Sequence, residues 1–232
     1  MLRIDAPSLI QSRWPGSRAP QAGATLSEVF PEPGAEAAAT GFVLAQLGPG
    51  TAPIVWIQDR LVQREMGRPF LAGLRMQRPL MLMQVSRPLD AMAAAEEALR
   101  CRGLAAVIAE TRGAPPSLGF TAMKRLAMRA EASGVPCWLI RQEATVDLSA
   151  ARDRWRIATL PSQANPYDPR APGSARWRVE LFRSRDGRPG EWVVQHERAQ
   201  VDGTEDRLDL VAAVPDGTLA ECAAAGRRGV AR

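Results

Sequence analysis

The turn Phe30-Pro31-Glu32-Pro33-Gly34-Ala35-Glu36-Ala37-Ala38 is where this chain could hold a phosphate. It joins a short strand candidate, Ala24–Phe30, to a helix candidate, Glu36–Leu47. A strand-to-helix turn cradles anionic oxygens with backbone N–H groups and the helix N-terminus, and the sequence that does so reads G-x-x-x-x-G-K-[ST]. In that register Pro31 and Glu36 stand at the two glycines, and Ala37 and Ala38 at the lysine and the hydroxyl residue. Two prolines remove donors, two glutamates repel phosphate, and nothing is left to hold a β/γ-phosphate or Mg²⁺. The turn is a degenerate phosphate loop, so the expectation is no nucleotide cofactor.

Other reactive side chains are sparse. His196 is the only histidine, which excludes most His-based triads and His-rich metal sites, and no nucleophile accompanies it. Cys101, Cys137 and Cys222 are odd in number, far apart and without metal-ligand spacing, the pattern of buried reduced thiols in a cytoplasmic protein. Neither a catalytic group nor a metal site is expected.

Charge is the remaining signal. The 232 residues carry 30 basic and 25 acidic groups, and Lys124 is the only lysine. Arginine grips phosphate in bidentate fashion, but Ala, Gly and Pro are abundant too, as a GC-rich coding sequence dictates. Residues 1–150 hold 16 basic and 13 acidic groups and residues 151–232 hold 14 and 12, so neither part is a basic domain. The net +5 permits weak DNA attraction without establishing it. Trp155, Trp177 and Trp192 sit among arginines, an arrangement that can stack bases. Their alternation equally fits the apolar side of half-buried strands. On that reading the outward Arg154, Arg156, Arg176, Arg178, Arg183, Arg185 and Arg188 are the candidates for nucleic-acid or partner contact. They are interleaved with Asp153, Glu180 and Asp186, which suits a solvated face or a protein partner as well.

The elements that must position these groups alternate. Continuous apolar runs at Pro53–Ile57, Pro79–Val85, Leu104–Ala109 and Val135–Ile140 are the pattern of strands buried on both faces. Between them, Leu89–Cys101 and Leu118–Ala132 carry helical apolar stripes ended by Gly103 and Gly134. The alternation predicts an α/β fold with a mostly parallel sheet flanked by helices. Beyond Ile140 the period becomes two. Arg154–Leu160, Arg176–Arg183 and Glu191–His196 predict a β-hairpin, or a three-stranded antiparallel unit, with Arg207–Val214 as one more edge strand. The expected organisation is a flexible arm at 1–24, an α/β core at 25–148, a β-hairpin extension packed on it at 149–214, and a flexible tail at 215–232. No window approaches the roughly 18 apolar residues of a membrane span, and the N-terminus lacks a secretory pattern.

The phrases GFVLAQL, APIVWIQD, AAAEEALRCRGLAAVIAE, KRLAMRAEASGVPCWLIR, RWRIATLPS and RWRVELFRSRDGRPGEWVV resemble the ImuA family over roughly residues 20–200. These are RecA-like accessory proteins of SOS mutagenesis. The resemblance implies a RecA-like core, in which the second strand leads into a water-activating carboxylate. Arg60 falls at that position, with Asp59 beside it. It also places Glu110, at the end of LAAVIA, where a carboxylate would approach Mg²⁺. Glu110 is then a relic, a capping or salt-bridging residue, or a functional acid.

The function implied is that of a non-catalytic adaptor. It would bind ImuB (a Y-family polymerase homologue) and RecA, and through them serve an error-prone C-family DNA polymerase in translesion synthesis. Two alternatives remain: a SulA-type cell-division inhibitor, and a degenerate ATP- or DNA-binding RecA-like ATPase.

Overall fold

In a computed structural model of the chain, the described residues are 24–48, 50–74, 78–185, 189–197 and 207–213. Residues 1–23 of the expected N-terminal arm, the expected tail at 215–232, Arg188 and Cys222 lie outside them. Nine strands form one sheet. They are β1 (Leu26–Pro31), β2 (Ile54–Asp59), β3 (Leu80–Val85), β4 (Ala106–Arg112), β5 (Cys137–Gln142), β6 (Asp153–Leu160), β7 (Ala175–Ser184), β8 (Gly190–Glu197) and β9 (Arg207–Ala213). Their order is β3-β2-β4-β5-β1-β6-β7-β8-β9. Every pairing from β3 across to β6 is parallel, and those of β6 with β7, β7 with β8 and β8 with β9 are antiparallel. The fold is α/β, as the alternation predicts.

The helices are α1 (Glu36–Ala45), α2 (Arg60–Met66), α3 (Leu71–Leu74), α4 (Pro88–Ala98) and α5 (Phe120–Ser133). Local chemistry sets their limits. The Asp59 carboxylate accepts a 2.9 Å hydrogen bond from the Val62 N–H and caps α2. Proline at the first position of α4 suits its missing donor. Gly134, at φ +76°, ends α5 in the left-handed conformation that a side chain resists.

Period-two alternation splits the core into two layers. Trp56, Ile108, Ile140, Trp155, Val179 and Trp192 pack with Phe42 and Val43 of α1 on one face. Val55, Ile57, Val107 and Leu139 pack with α4 and α5 on the other. The three C-terminal tryptophans are therefore core. Trp155 lies 5.0 Å from the Phe42 ring, and Trp177 stacks at 4.7 Å on His196. Arg154–Leu160 joins the two later strands in the three-stranded antiparallel run expected, β6 with β7 and β7 with β8, and on its other edge β6 pairs in parallel with β1. The later strands extend the same sheet edge to edge.

Gly41 of α1 faces Trp177 so closely that a Cβ would sit 2.6 Å from Cη2 of the indole. Helix propensity alone favours Gly41→Ala by about 1 kcal/mol. Because the stacked, buried ring cannot retreat, the net expectation is a loss of about 1–3 kcal/mol. Gly103→Ala, where a Cβ meets nothing within 4 Å, serves as the neutral control. Urea melts of the two variants distinguish them.

Candidate functional site

Beta strands 2, 4 and 5 each run past their apolar stretch into polar residues that stay buried. Gln58 is 2% exposed, Glu110 4% and Gln142 2%. Each lies two residues beyond a side chain of the α1 layer (Trp56, Ile108, Ile140), so strand geometry turns all three toward α1. There a cavity of about 1290 Å³ opens at the carboxyl ends of the strands. Helix α1 supplies one wall through Glu36, Thr40 and Gly41. Phe70, between α2 and α3, and Tyr167, on the β6–β7 loop, stand at its margin, 75% and 95% exposed. The Asn165 side chain accepts from the Tyr167 and Asp168 N–H groups and folds that loop. In open α/β sheets this end of the strands is where ligands bind.

The turn expected to be a degenerate phosphate loop borders this cavity. Strand β1 continues through Pro31 and α1 begins at Glu36, leaving only residues 32–35 between them. The Gly34 N–H donates to Glu36 Oε1 at 3.1 Å, so the chain's own carboxylate takes a position suited to an anion. Glu32 is held by Arg178 at 2.8 Å. Ala38 is buried in the core and Ala37 is exposed at the cavity wall. Arg60 is exposed at the start of α2, and the capping role of Asp59 engages the carboxylate beside it.

Glu110 corrects the expectation. It neither ends its strand nor caps a helix, since β4 continues to Arg112 and Glu110 pairs with Gln58 across the sheet. The Gln58 amide donates both to Glu110 Oε2 and, at 3.2 Å, to the Gly67 carbonyl. Burial pushes this carboxyl up to about 7, against the downward pull of the Gln58 hydrogen bond.

The arginine series does not form one patch. Arg154, expected on the surface, is 2% exposed. It bonds Glu28 at 2.7 Å and lies between the Phe30 and Phe182 rings, 5.3 and 5.4 Å from their centroids. Alternation assigns a residue to a face of the sheet, and says nothing of what covers that face. Arg156 pairs with Glu180, and Arg178 with Glu32 and Glu191. Arg176 reaches Gln195 at 3.4 Å. Arg183 and Arg185 are exposed. Cys137 is buried as expected, whereas Cys101 is exposed.

Sequence reasoning missed Gln58, Gln142, the Tyr167 loop and a buried cluster of Glu28, Arg141 and Arg154. Its available signal was polarity inside or directly after an apolar strand, as in LSEVF and WLIRQ. Among the described residues no group of three potential metal ligands occurs. None of their helices is long and apolar enough to cross a membrane.

Fold and site together define an α/β protein with a crevice at its strand ends and a short β1–α1 turn whose Gly34 N–H is taken by Glu36. No protein-family model matches the chain. Two proteins named Protein ImuA, from two strains of Caulobacter vibrioides, are each 33% identical to it over 186 residues, covering 75% of this chain and 72% of the relative. The chain belongs to the ImuA family, the SOS-mutagenesis accessory family its sequence resembles.

Proposed function

We propose that the protein is a non-catalytic, cytoplasmic adaptor of the bacterial mutasome, with a RecA-like core that binds ImuB and RecA and supports damage-induced translesion synthesis. An error-prone C-family DNA polymerase is then served indirectly. The observation that carries this reading is the β1–α1 turn. An otherwise continuous sheet keeps the crevice, while the Glu36 carboxylate occupies the Gly34 N–H and Glu32 takes up Arg178, so neither the N–H nor the guanidinium is open to a phosphate. Triphosphate would meet repulsion there instead of a cradle. Family membership at 33% identity supports the assignment to mutagenesis.

Any direct DNA contact is weak in this reading. Arg154, Arg156 and Arg178 are already engaged with carboxylates, leaving Arg183 and Arg185 as the exposed candidates among the described residues.

Deletion of the gene tests the assignment. The expected result is loss of damage-induced mutation with normal growth, and no filamentous cells on overexpression. Filamentation would favour a division inhibitor. Saturable ATP hydrolysis stimulated by single-stranded DNA would restore the ATPase reading.

A further inference from the structure

We propose that the cavity between α1 and the carboxyl ends of β2, β4 and β5 binds a guanidinium group, either of a small molecule or of an arginine side chain on a partner protein. Three independent features of the cavity converge on that chemistry, and they hold whether or not the partners are those named above.

The first is an excess of acceptors. The Oε1 atoms of Gln58 and Gln142 are buried and have no hydrogen-bond partner, on side chains that line the cavity. An unsatisfied buried carbonyl costs about 1–3 kcal/mol, which a donor entering the cavity relieves. Gln58 cannot turn its amide round without giving up its bonds to Glu110 and Gly67.

The second is charge. Glu36, Glu65 and Glu110 line the cavity, against the single lining arginine Arg68, and Glu65 is paired from outside the lining with Arg112 at 3.3 Å. This is an acidic hollow in a chain of net charge +5. Of the three, Glu110 lies deepest and is bonded to an amide instead of a cation. Burial disfavours its ionised form, so a cation brought beside it recovers the carboxylate and gains a charge-assisted bond.

The third is aromatic surface. Phe70 and Tyr167 stand largely exposed at the margin, while Trp56 and Trp177 of the wall are themselves buried, Trp177 with a face on His196. A guanidinium is planar, stacks on rings and presents five donors in a fixed fork. It can satisfy acceptors at its edge while its face lies on an aromatic. An anion has no such match here, and an ammonium offers donors without a plane to stack.

The test uses the full chain and N-acetyl-arginine-methylamide, titrated by NMR or calorimetry, with the citrulline analogue as a neutral isostere and ATP as a competitor. Saturable binding of the arginine probe is expected, with none of the citrulline analogue and no displacement by ATP. Glu110→Gln and Gln142→Leu should each weaken it about tenfold, the loss of one charge-assisted or one buried hydrogen bond. Glu110→Gln removes a buried ionisable group without changing shape, so its folding is secure and far-ultraviolet circular dichroism verifies it. An arginine-containing pentapeptide separates the two sources. Tighter binding than the capped residue assigns the group to a protein partner, and equal binding assigns it to a small molecule. No saturation by either probe, equal affinity in Glu110→Gln, or displacement by ATP overturns the proposal.

Discussion

Glu28→Gln is expected to destabilise the protein by about 3–5 kcal/mol. Glu28 stands on β1, in the middle of the sheet, with 0% exposure. Its two oxygens hold two guanidinium groups, Arg141 at 2.9 Å and Arg154 at 2.7 Å, both at most 2% exposed. Asp147, at 3.6 Å from Arg141 and 4.0 Å from Arg154, supplies the second negative charge from a half-exposed position. The cluster is balanced only while Glu28 is ionised. Replacing it with an amide leaves two buried cations with one distant carboxylate, and the rings of Phe30 and Phe182 recover only part of the loss.

Against a typical total stability of about 5–15 kcal/mol, that loss brings the chain near unfolding at physiological temperature. Arg154→Met should cost a comparable amount, because Phe182 then loses the group it covers and Glu28 loses half its pairing. The combined Glu28→Leu, Arg141→Met, Arg154→Met variant should recover most of the stability, since no unpaired charge remains. Urea denaturation of the single and triple variants checks this. Single variants within about 1 kcal/mol of the parent would show that the cluster is not what holds β1, β5 and β6 together.

The second large effect concerns Glu110 and pH. Its carboxyl is raised from 4.5 to about 7, mainly by burial. Between those values the folded chain holds a proton that the unfolded chain has released, so folding stability falls as pH rises through this window and is flat above it. The total is about 3 kcal/mol. Glu110→Gln keeps the shape and removes the titration. Its stability should match the parent's near pH 4.5 and exceed it by up to about 3 kcal/mol at pH 8. Taking the difference between parent and variant cancels the other titrating groups, including Glu191, which burial also raises. A difference that does not change with pH would mean that Glu110 titrates in the folded chain as it does in the unfolded one, and would contradict the raised value.

These two residues show where the sequence was legible and where it was not. The runs IVWIQD and CWLIRQ announce strands buried on both faces, because six residues of mostly apolar chain have no helical stripe to offer. The expectation of a degenerate phosphate loop rests on Pro31, Glu36, Ala37 and Ala38, since holding a phosphate depends on residue types at consecutive positions. Depth is another matter. Arg154 alternates with Trp155 in the way a solvent-facing arginine would, and only the placement of Phe30 and Phe182 over it makes it interior. Phe182 reaches that place through an irregularity in the pairing, where Arg154 opposes Arg183 and Trp155 opposes Leu181. Gln58, Glu110 and Gln142 are brought together by the register of three parallel strands, of which β2 and β4 are neighbours in the sheet without being consecutive in the chain. No local pattern encodes that meeting.

A mixed-charge surface follows from the same geometry. On β6, β7 and β8, Arg156 pairs with Glu180 and Arg178 with Glu32 and Glu191, while Arg183 and Arg185 remain exposed. What the fold offers to other molecules is a crevice without phosphate ligands and a sheet extended at its C-terminal edge.

The central claim is that this chain works by protein contact, and affinity purification of the tagged full-length protein from DNA-damaged cells tests it most directly. ImuB and RecA should be recovered with it after damage, and the recovery should persist when ATP is depleted from the lysate. Recovery of neither protein would contradict the account.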